Sequence, residues 1–454
     1  MKKTLTLLAL TAISYIGYTQ NAEACTENIS LLATSVKAKD GAAYDYLTTL
    51  RKDCPSFHKG IYNYGEFAIK QRIDAAKDNA EKEKYVADLL KLYEEFFKYF
   101  PNDGAGVDMK KGLALFSYAP EKKVEIYNYF DNAFKNDNAN FSSTRGLYAY
   151  FEIFVNDYKA GTKGITLQQV FDKYDDISEK LAELEKVDSE AKDILIAKEE
   201  AGTQLDSKEA KRKAKLEENL ENITIVTSSM DAIIIELSSC DKLIPFYQKG
   251  FEENKNNEVW LKRAADRLES KECDTDPLFS KISEALYKLN PSADAAYKLG
   301  VVEMQKKNTA KAMSYFEQAA NLYTDNTKKA TVYMKIASTY MNSNKSQARA
   351  YARKALQVKP SYGRAYLLIA QLYGNSINDC GKTPFDKRAM YWLAAQYADK
   401  AAVADSSLKE AANKMAASYR AAAPSRTDIF NEGMSGKRIA FDCWVGESVV
   451  VPTL

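Results

Sequence analysis

The chain has 454 residues, too many for one compact core and enough for about three domains or a repeat array. Hydrophobic residues make up 46% and charged residues 28%, ordinary for a globular protein, and only 10 Pro and 19 Gly leave little turn chemistry for an all-β fold. With 64 basic and 62 acidic residues the net charge is +2 at pH 7, and no basic stripe with interleaved aromatics occurs, which argues against a nucleic-acid partner.

Lys2 and Lys3 precede a mostly apolar run from Leu5 to Ile16, followed by small and polar residues, the order of a secretory signal. The run is too short to span a bilayer, so residues 1–19 are expected to be cleaved rather than to anchor. Cleavage after Thr19 and cleavage after Ala24 both satisfy the small-residue rule. The second would leave Cys25 first, as in a bacterial lipoprotein, but Ala22 stands where such a signal carries a larger aliphatic residue, which argues against lipidation. Export predicts the periplasm or outer envelope.

Residues 20–160 read as degenerate helical repeats. Helices are expected from Ala43 to Leu50, from Ile61, from Tyr85 to Tyr99, from Glu121 to Phe134 and from Ser142 to Tyr158. Their aromatics (Tyr62, Tyr64, Tyr93, Phe96, Phe97, Tyr127, Phe130, Tyr148, Tyr150 and Phe151) fall at core-packing spacings, with a carbohydrate-binding platform as the alternative. Residues 161–239 differ. From Phe171 to Leu220, 25 of 50 residues are charged, while apolar residues keep a spacing of three or four: Val170, Tyr174, Ile177, Leu181, Leu184, then Leu216, Leu220, Ile223, Met230, Ile233 and Leu237. That pattern predicts two long helices sharing a narrow seam, folded back near Gly202-Thr203, with the charges on a solvated outer face.

Residues 240–291 form one more helical unit, bracketed by Cys240 and Cys273, and the clearest repeats lie in 292–425. A tetratricopeptide (TPR) unit has about 34 residues, with Leu-Gly on its first helix, Ala-x-x-x-Phe on its second and Pro after it. Leu299-Gly300 is followed by Ala312-x-x-x-Phe316; the next unit reads Tyr333-x-x-Ile336-Ala337-x-x-Tyr340, then Ala348, Ala352, Ala355 and Pro360; a third begins Tyr366-x-x-Ile369-Ala370-x-x-Tyr373. Gly300, Ala337 and Ala370 are small where the two helices of a unit must cross closely. Glu303 departs from the pattern, which expects an aromatic there. Residues 426–454 read as a helix and a β-hairpin, Lys437–Trp444 and Ser448–Val451 around a Gly-containing turn. The expected fold is therefore all-α, a TPR-type solenoid with a charged long-helix hairpin in the middle and a short C-terminal β-hairpin.

His58 is the one imidazole, so multi-histidine metal sites are excluded, and no phosphate-binding glycine loop stands in a strand–helix context. No catalytic residue, metal or cofactor is expected, and the rival enzyme class is a two-carboxylate hydrolase. The expected function is to bind a protein or peptide partner; the alternative is a structural brace associated with an outer-membrane assembly. The first helix of each TPR unit faces the groove, which predicts Tyr297, Val301, Met304, Met334, Ser338, Met341, Asn342, Arg364, Leu367, Gln371 and Asn375 as the groove set, with about a third packing on the preceding unit. The mix suits an apolar or extended segment.

Six cysteines behind an export signal predict disulfides. Units of a solenoid touch only their neighbours, and an antiparallel helix pair returns its end to its start, so Cys25–Cys54 and Cys240–Cys273 are expected. Cys380 lies in a polar insertion, Asn375 to Pro384, and is expected to join Cys443, holding the terminal hairpin as a cap on the open end of the stack.

The stretches Tyr44-Asp45-Tyr46-Leu47 through Cys54-Pro55, Ile61-Tyr62-Asn63-Tyr64-Gly65, Cys240-Asp241-Lys242-Leu243 through Cys273, the repeats, and Cys443-Trp444-Val445 resemble secreted TPR proteins of the Bacteroidota. The resemblance spans nearly the whole chain except the charged middle. It implies a TPR fold and an envelope location, and no reaction.

Overall fold

The structure, a computed structural model, describes residues 22–454. The expected signal segment, 1–19, lies outside the described residues. The chain divides into two compact units, Met1–Ile177 and Ser178–Leu454.

The first unit holds α1 (22–38), α2 (Ala43–Asp53), α3 (Gly60–Asp74), α4 (Asn79–Tyr99), α5 (Val107–Tyr118), α6 (Lys123–Asn136), α7 (Thr144–Lys159) and the start of α8 (Leu167–Glu200). Successive helices pack as neighbours, α3 on α4 and α5 on α6 most extensively. Cys25 and Cys54 are bonded, tying α1 to the end of α2 across a Cα–Cα distance of 6.0 Å. The sequence reading missed α5. Gly112 sits in its middle, a helix-weakening residue, but a Cβ there would stand 2.6 Å from the Phe130 ring, so the glycine admits a close crossing with α6. Tyr62, Phe130, Tyr150 and Phe151 are buried core, and Tyr62 stacks on Phe96 at 5.1 Å; Phe97 instead is 48% exposed. His58 has a local role: its Nδ1 accepts the Gly60 N–H at 3.0 Å at the start of α3.

In the second unit α8 runs on to Glu200 and folds back as α9 (Ser207–Ile234). The turn is set by Asp206, whose carboxylate caps α9 in a reciprocal box with Glu209. Ile177, Leu181, Leu216, Ile223 and Met230 of the expected seam are buried. The charges are not all solvated: Lys180 and Lys192 are buried too. For Lys192 the reason is that α8 is a strut along the repeats. Lys186 reaches Asp325 (3.8 Å), Asp193 accepts the Ser361 N–H (2.7 Å), Lys192 donates to the Ala404 carbonyl (2.8 Å) and Glu200 accepts from the Tyr366 hydroxyl (2.5 Å). Asp325, Ser361 and Ala404 lie at the turns between successive repeat helices, and Tyr366 is on a repeat helix itself.

The helical array continues with α10 (Cys240–Asn254), α11 (Glu258–Ser270) and α12 (Pro277–Leu289), with Cys240 bonded to Cys273. The clear repeats are α13 (Ala293–Gln305) with α14 (Thr309–Leu322), α15 (Asn326–Tyr340) with α16 (Lys345–Val358), and α17 (Gly363–Gly374) with α18 (Pro384–Ala404). Each pair is an antiparallel hairpin, and the first helices start at Ala293, Asn326 and Gly363, steps of 33 and then 37 residues around the TPR period of about 34. The small residues do what the sequence required of them. A Cβ on Gly300 would lie 2.5 Å from Phe316, and Ala348, Ala352 and Ala355 are fully buried where α16 packs. Replacing Gly300 with Ala should therefore cost about 1–3 kcal/mol by overpacking against Phe316, measurable as a lower urea midpoint with an unchanged slope. Glu303, the departure from the pattern, is buried and offset by Lys311 (3.2 Å) and Asn308 (3.1 Å).

The chain ends with α19 (Lys409–Ala422), α20 (Arg426–Asn431) and an antiparallel ribbon of β1 (Arg438–Phe441) and β2 (Glu447–Val450), paired from Arg438↔Val450 to Phe441↔Glu447. Cys380 is bonded to Cys443 as expected. The capping role is corrected. α19 closes the α17–α18 pair, its Ala416 packing with Ala370, Ala395 and Ala398. The ribbon lies instead across α16, α17 and α18. Glu447 takes hydrogen bonds from Arg353, Tyr373 and Tyr397, and the Arg349 guanidinium stacks on Trp444 at 5.2 Å. Phe441, Val445, Val449 and Val451 of the ribbon are its buried side chains. No single described helix is long and apolar enough to cross a membrane.

Candidate partner-binding groove

On a helix, residues three and four apart share a face. The first helices of the repeats each carry such a stripe: Asp294, Tyr297, Lys298, Val301 and Met304 on α13; Thr327, Thr331, Met334 and Ser338 on α15, continued by Met341 and Asn342; Arg364, Leu367 and Gln371 on α17, continued by Asn375. The structure sorts the expected set by exposure. Ser338, Asn342, Arg364, Gln371 and Asn375 are exposed. Tyr297, Met304, Met334, Met341 and Leu367 are half-buried; Met334 and Met341 lean on the core of the second and third repeats, and Leu367 on Tyr366 and Ala401. Val301 is 2% exposed and belongs to the core rather than to a contact surface.

Two cavities lie along the same helices and share Thr327 and Thr331. The smaller, ≈ 220 Å³, is walled by α11, α13, the end of α14 and α15 through Asp266, Tyr297, Lys298, Tyr323 and Lys328. The larger, ≈ 330 Å³, opens where the starts of α15 and α17 meet the long hairpin, with Lys192, Thr224, Lys359, Ser361 and Arg364 among its walls. Only Tyr297 and Arg364 of the expected set reach these cavities. The sequence reading missed the first turns, because Thr327 and Thr331 look like ordinary helix-start residues. It also missed the hairpin's contribution, which comes from far upstream in the chain.

The smaller cavity has a charged floor. The Lys298 ammonium is buried and lies 2.6 Å from Asp266 and 2.5 Å from Glu269. Burial alone would lower its pKa, but the two carboxylates outweigh that and hold it above the usual lysine value. Glu269 also accepts from the Tyr297 hydroxyl at 3.1 Å, and burial with this neighbour pushes the Tyr297 phenol up. Burial would raise Asp294, yet it is held below the ordinary carboxylate range by the Tyr323 hydroxyl (2.5 Å) and by Lys328 (3.1 Å) and Lys262 (3.5 Å). These groups fix neighbouring first helices to one another.

No family model matches the sequence, and no curated protein matches it at a significant level. Among solved structures, a monomeric mutant of IFIT1 with Gppp-AAAA is 11% identical with a TM-score of 0.31, covering 87% of this chain and 89% of that one. A human IFIT1 dimer with PPP-AAAA is 14% identical with a TM-score of 0.30 (84% and 94% covered), and the yeast Tom70 is 10% identical with a TM-score of 0.26 (87% and 96% covered). Similarity of this size carries no function across. The helical-hairpin solenoid rests on the packing described above.

Proposed function

We propose that this chain is a non-catalytic scaffold of the cell envelope that holds an extended segment of a partner protein along the first helices of its repeats. The observation that carries this reading is the stripe on α15 and α17. Exposed Ser338, Asn342, Gln371 and Asn375 alternate with half-buried Met334, Met341 and Leu367 across successive units. Side-chain amides both donate and accept, so they can pair with the backbone of an extended segment, while methionines adapt to its side chains. Three disulfides favour an oxidising, extracytoplasmic compartment. An envelope location further agrees with the basic and apolar start of the sequence and with the resemblance to secreted TPR proteins of the Bacteroidota.

A second reading, a brace, has one observation in its favour. Val187, Ile194 and Ile225 are 61%, 71% and 55% exposed, and they stand on the long hairpin rather than in the groove. The triple variant Asn342→Ala, Gln371→Ala, Asn375→Ala separates the two. These side chains are exposed, so thermal unfolding should stay within about 0.5 kcal/mol of the parent. On the groove reading, the partner found by cross-linking in intact cells is lost from the triple variant and kept by a Val187→Ser, Ile194→Ser variant. The reverse result would establish the brace.

A further inference from the structure

Five lysines are buried among the described residues: Lys111, Lys180, Lys192, Lys298 and Lys359. Four have a carboxylate within ion-pair distance, namely Glu94, Glu183, Glu217 and, for Lys298, both Asp266 and Glu269. Lys359 makes no ion pair. It is 6% exposed, and its Nζ donates to one neutral acceptor, the Thr327 hydroxyl, at 2.8 Å. An ammonium has three donors, and the one carboxylate whose charge is seen to act on Lys359, Asp193, does so from beyond ion-pair distance.

Lys359 stands in the wall of the ≈ 330 Å³ cavity, in the turn that leads into α17. Two further features of that wall favour negative charge. Arg364, the second residue of α17, is exposed to the cavity and makes no ion pair among the described residues. α17 also begins without a side-chain cap, because Tyr362 makes no capping bond. Three carboxylates stand at or beside the cavity, and Asp405 packs against Gly363 at the start of α17. Asp405 accepts from the Ser407 N–H (3.0 Å) and hydroxyl (2.6 Å), and Asp193 accepts the Ser361 N–H. Glu185 lines the α8 side. Lys192, on the opposite wall, is already held by the Ala404 carbonyl.

We propose that this cavity binds a small oxyanion, the phosphate or carboxylate group of a metabolite-sized acid, through Lys359, Arg364 and the start of α17. Its volume lies at the lower end of the range for small-molecule sites, about 300–1,000 Å³. A bound anion would join the α16–α17 turn to the long hairpin and so lock the strut onto the repeats.

The test is thermal unfolding and calorimetric titration of the disulfide-bonded chain at constant ionic strength, with inorganic phosphate in one arm and acetate in the other. A saturable rise in melting temperature with phosphate alone assigns a phosphate group; a rise with acetate as well assigns a carboxylate. Lys359→Met keeps the buried stem and removes the charge. It should melt no lower than the parent without ligand and should show no ligand-induced rise. Arg364→Ala, at an exposed position, should weaken binding about tenfold. No rise for the parent with either probe at millimolar concentration, or an equal rise for Lys359→Met, would overturn the proposal. So would a ligand-free Lys359→Met that melts well below the parent, because the ammonium would then be a structural partner of Thr327.

Discussion

Replacing Asp266 and Glu269 together with Asn and Gln should lower the stability of the second unit by about 3 kcal/mol, the lower end of the cost of stripping a buried ion pair of one partner. The shapes barely change, and the side-chain amide introduced by Glu269→Gln could still accept from Tyr297. What changes is that the Lys298 ammonium, 6% exposed on its side chain, loses both carboxylates. Asp266 is half exposed and contributes less than Glu269, which is why the lower figure is chosen. Adding Lys298→Met to the double variant should restore most of the loss, since the uncompensated charge is then gone while the apolar stem remains. Urea unfolding monitored by circular dichroism checks both steps. A double variant as stable as the parent would mean that the triad does not hold α11 to α13.

Loss of the Cys380–Cys443 bond should have an effect of similar size. It closes a loop of 63 residues, and the chain-entropy model assigns such a loop about 4 kcal/mol, less any strain in the native state. Two four-residue strands cannot stand alone, but the ribbon is also held by Glu447 and by buried Phe441, Val449 and Val451. The variant Cys380→Ser, Cys443→Ser should therefore keep Trp444 packed on Arg349 in native buffer and unfold at a clearly lower urea concentration. A shift worth less than about 1 kcal/mol would contradict the assignment of a long stabilising loop. A loss at least as large on treating the parent with reductant, which cleaves all three bonds, would tie the protein's stability to an oxidising compartment.

The repeats were legible because their chemistry is local. Gly300 and Phe316 lie in one hairpin, and the alanines of α16 mark its packing face directly. Cys25–Cys54 and Cys240–Cys273 followed from the same locality, since a solenoid brings bracket positions together, whereas Cys380–Cys443 was expected from a capping role that the ribbon does not have. α5 was hidden by Gly112, which lowers helix propensity in isolation but is required by Phe130 in the fold. The terminal ribbon was read as a strand pair, yet its place could not be read, because Arg349, Arg353 and Glu447 meet across about a hundred residues. The long hairpin was the largest gap. Ser189 and Lys192 look like the rest of a charged, polar face until the turns at Ser361 and Ala404 are brought against them. For the same reason the groove stripe was visible on α15 and α17, but the cavity that the hairpin completes was not.

The most direct test of the scaffold reading is site-specific photo-crosslinking in intact cells, with the probe at Gln371 on the α17 stripe or at Gln357 on α16. Both side chains are exposed, so either probe should be tolerated. The account predicts a discrete adduct with one partner protein from position 371, absent when Asn342 is also changed to a bulky Trp, and no such adduct from position 357. An adduct formed from position 357 and not from position 371 would contradict it.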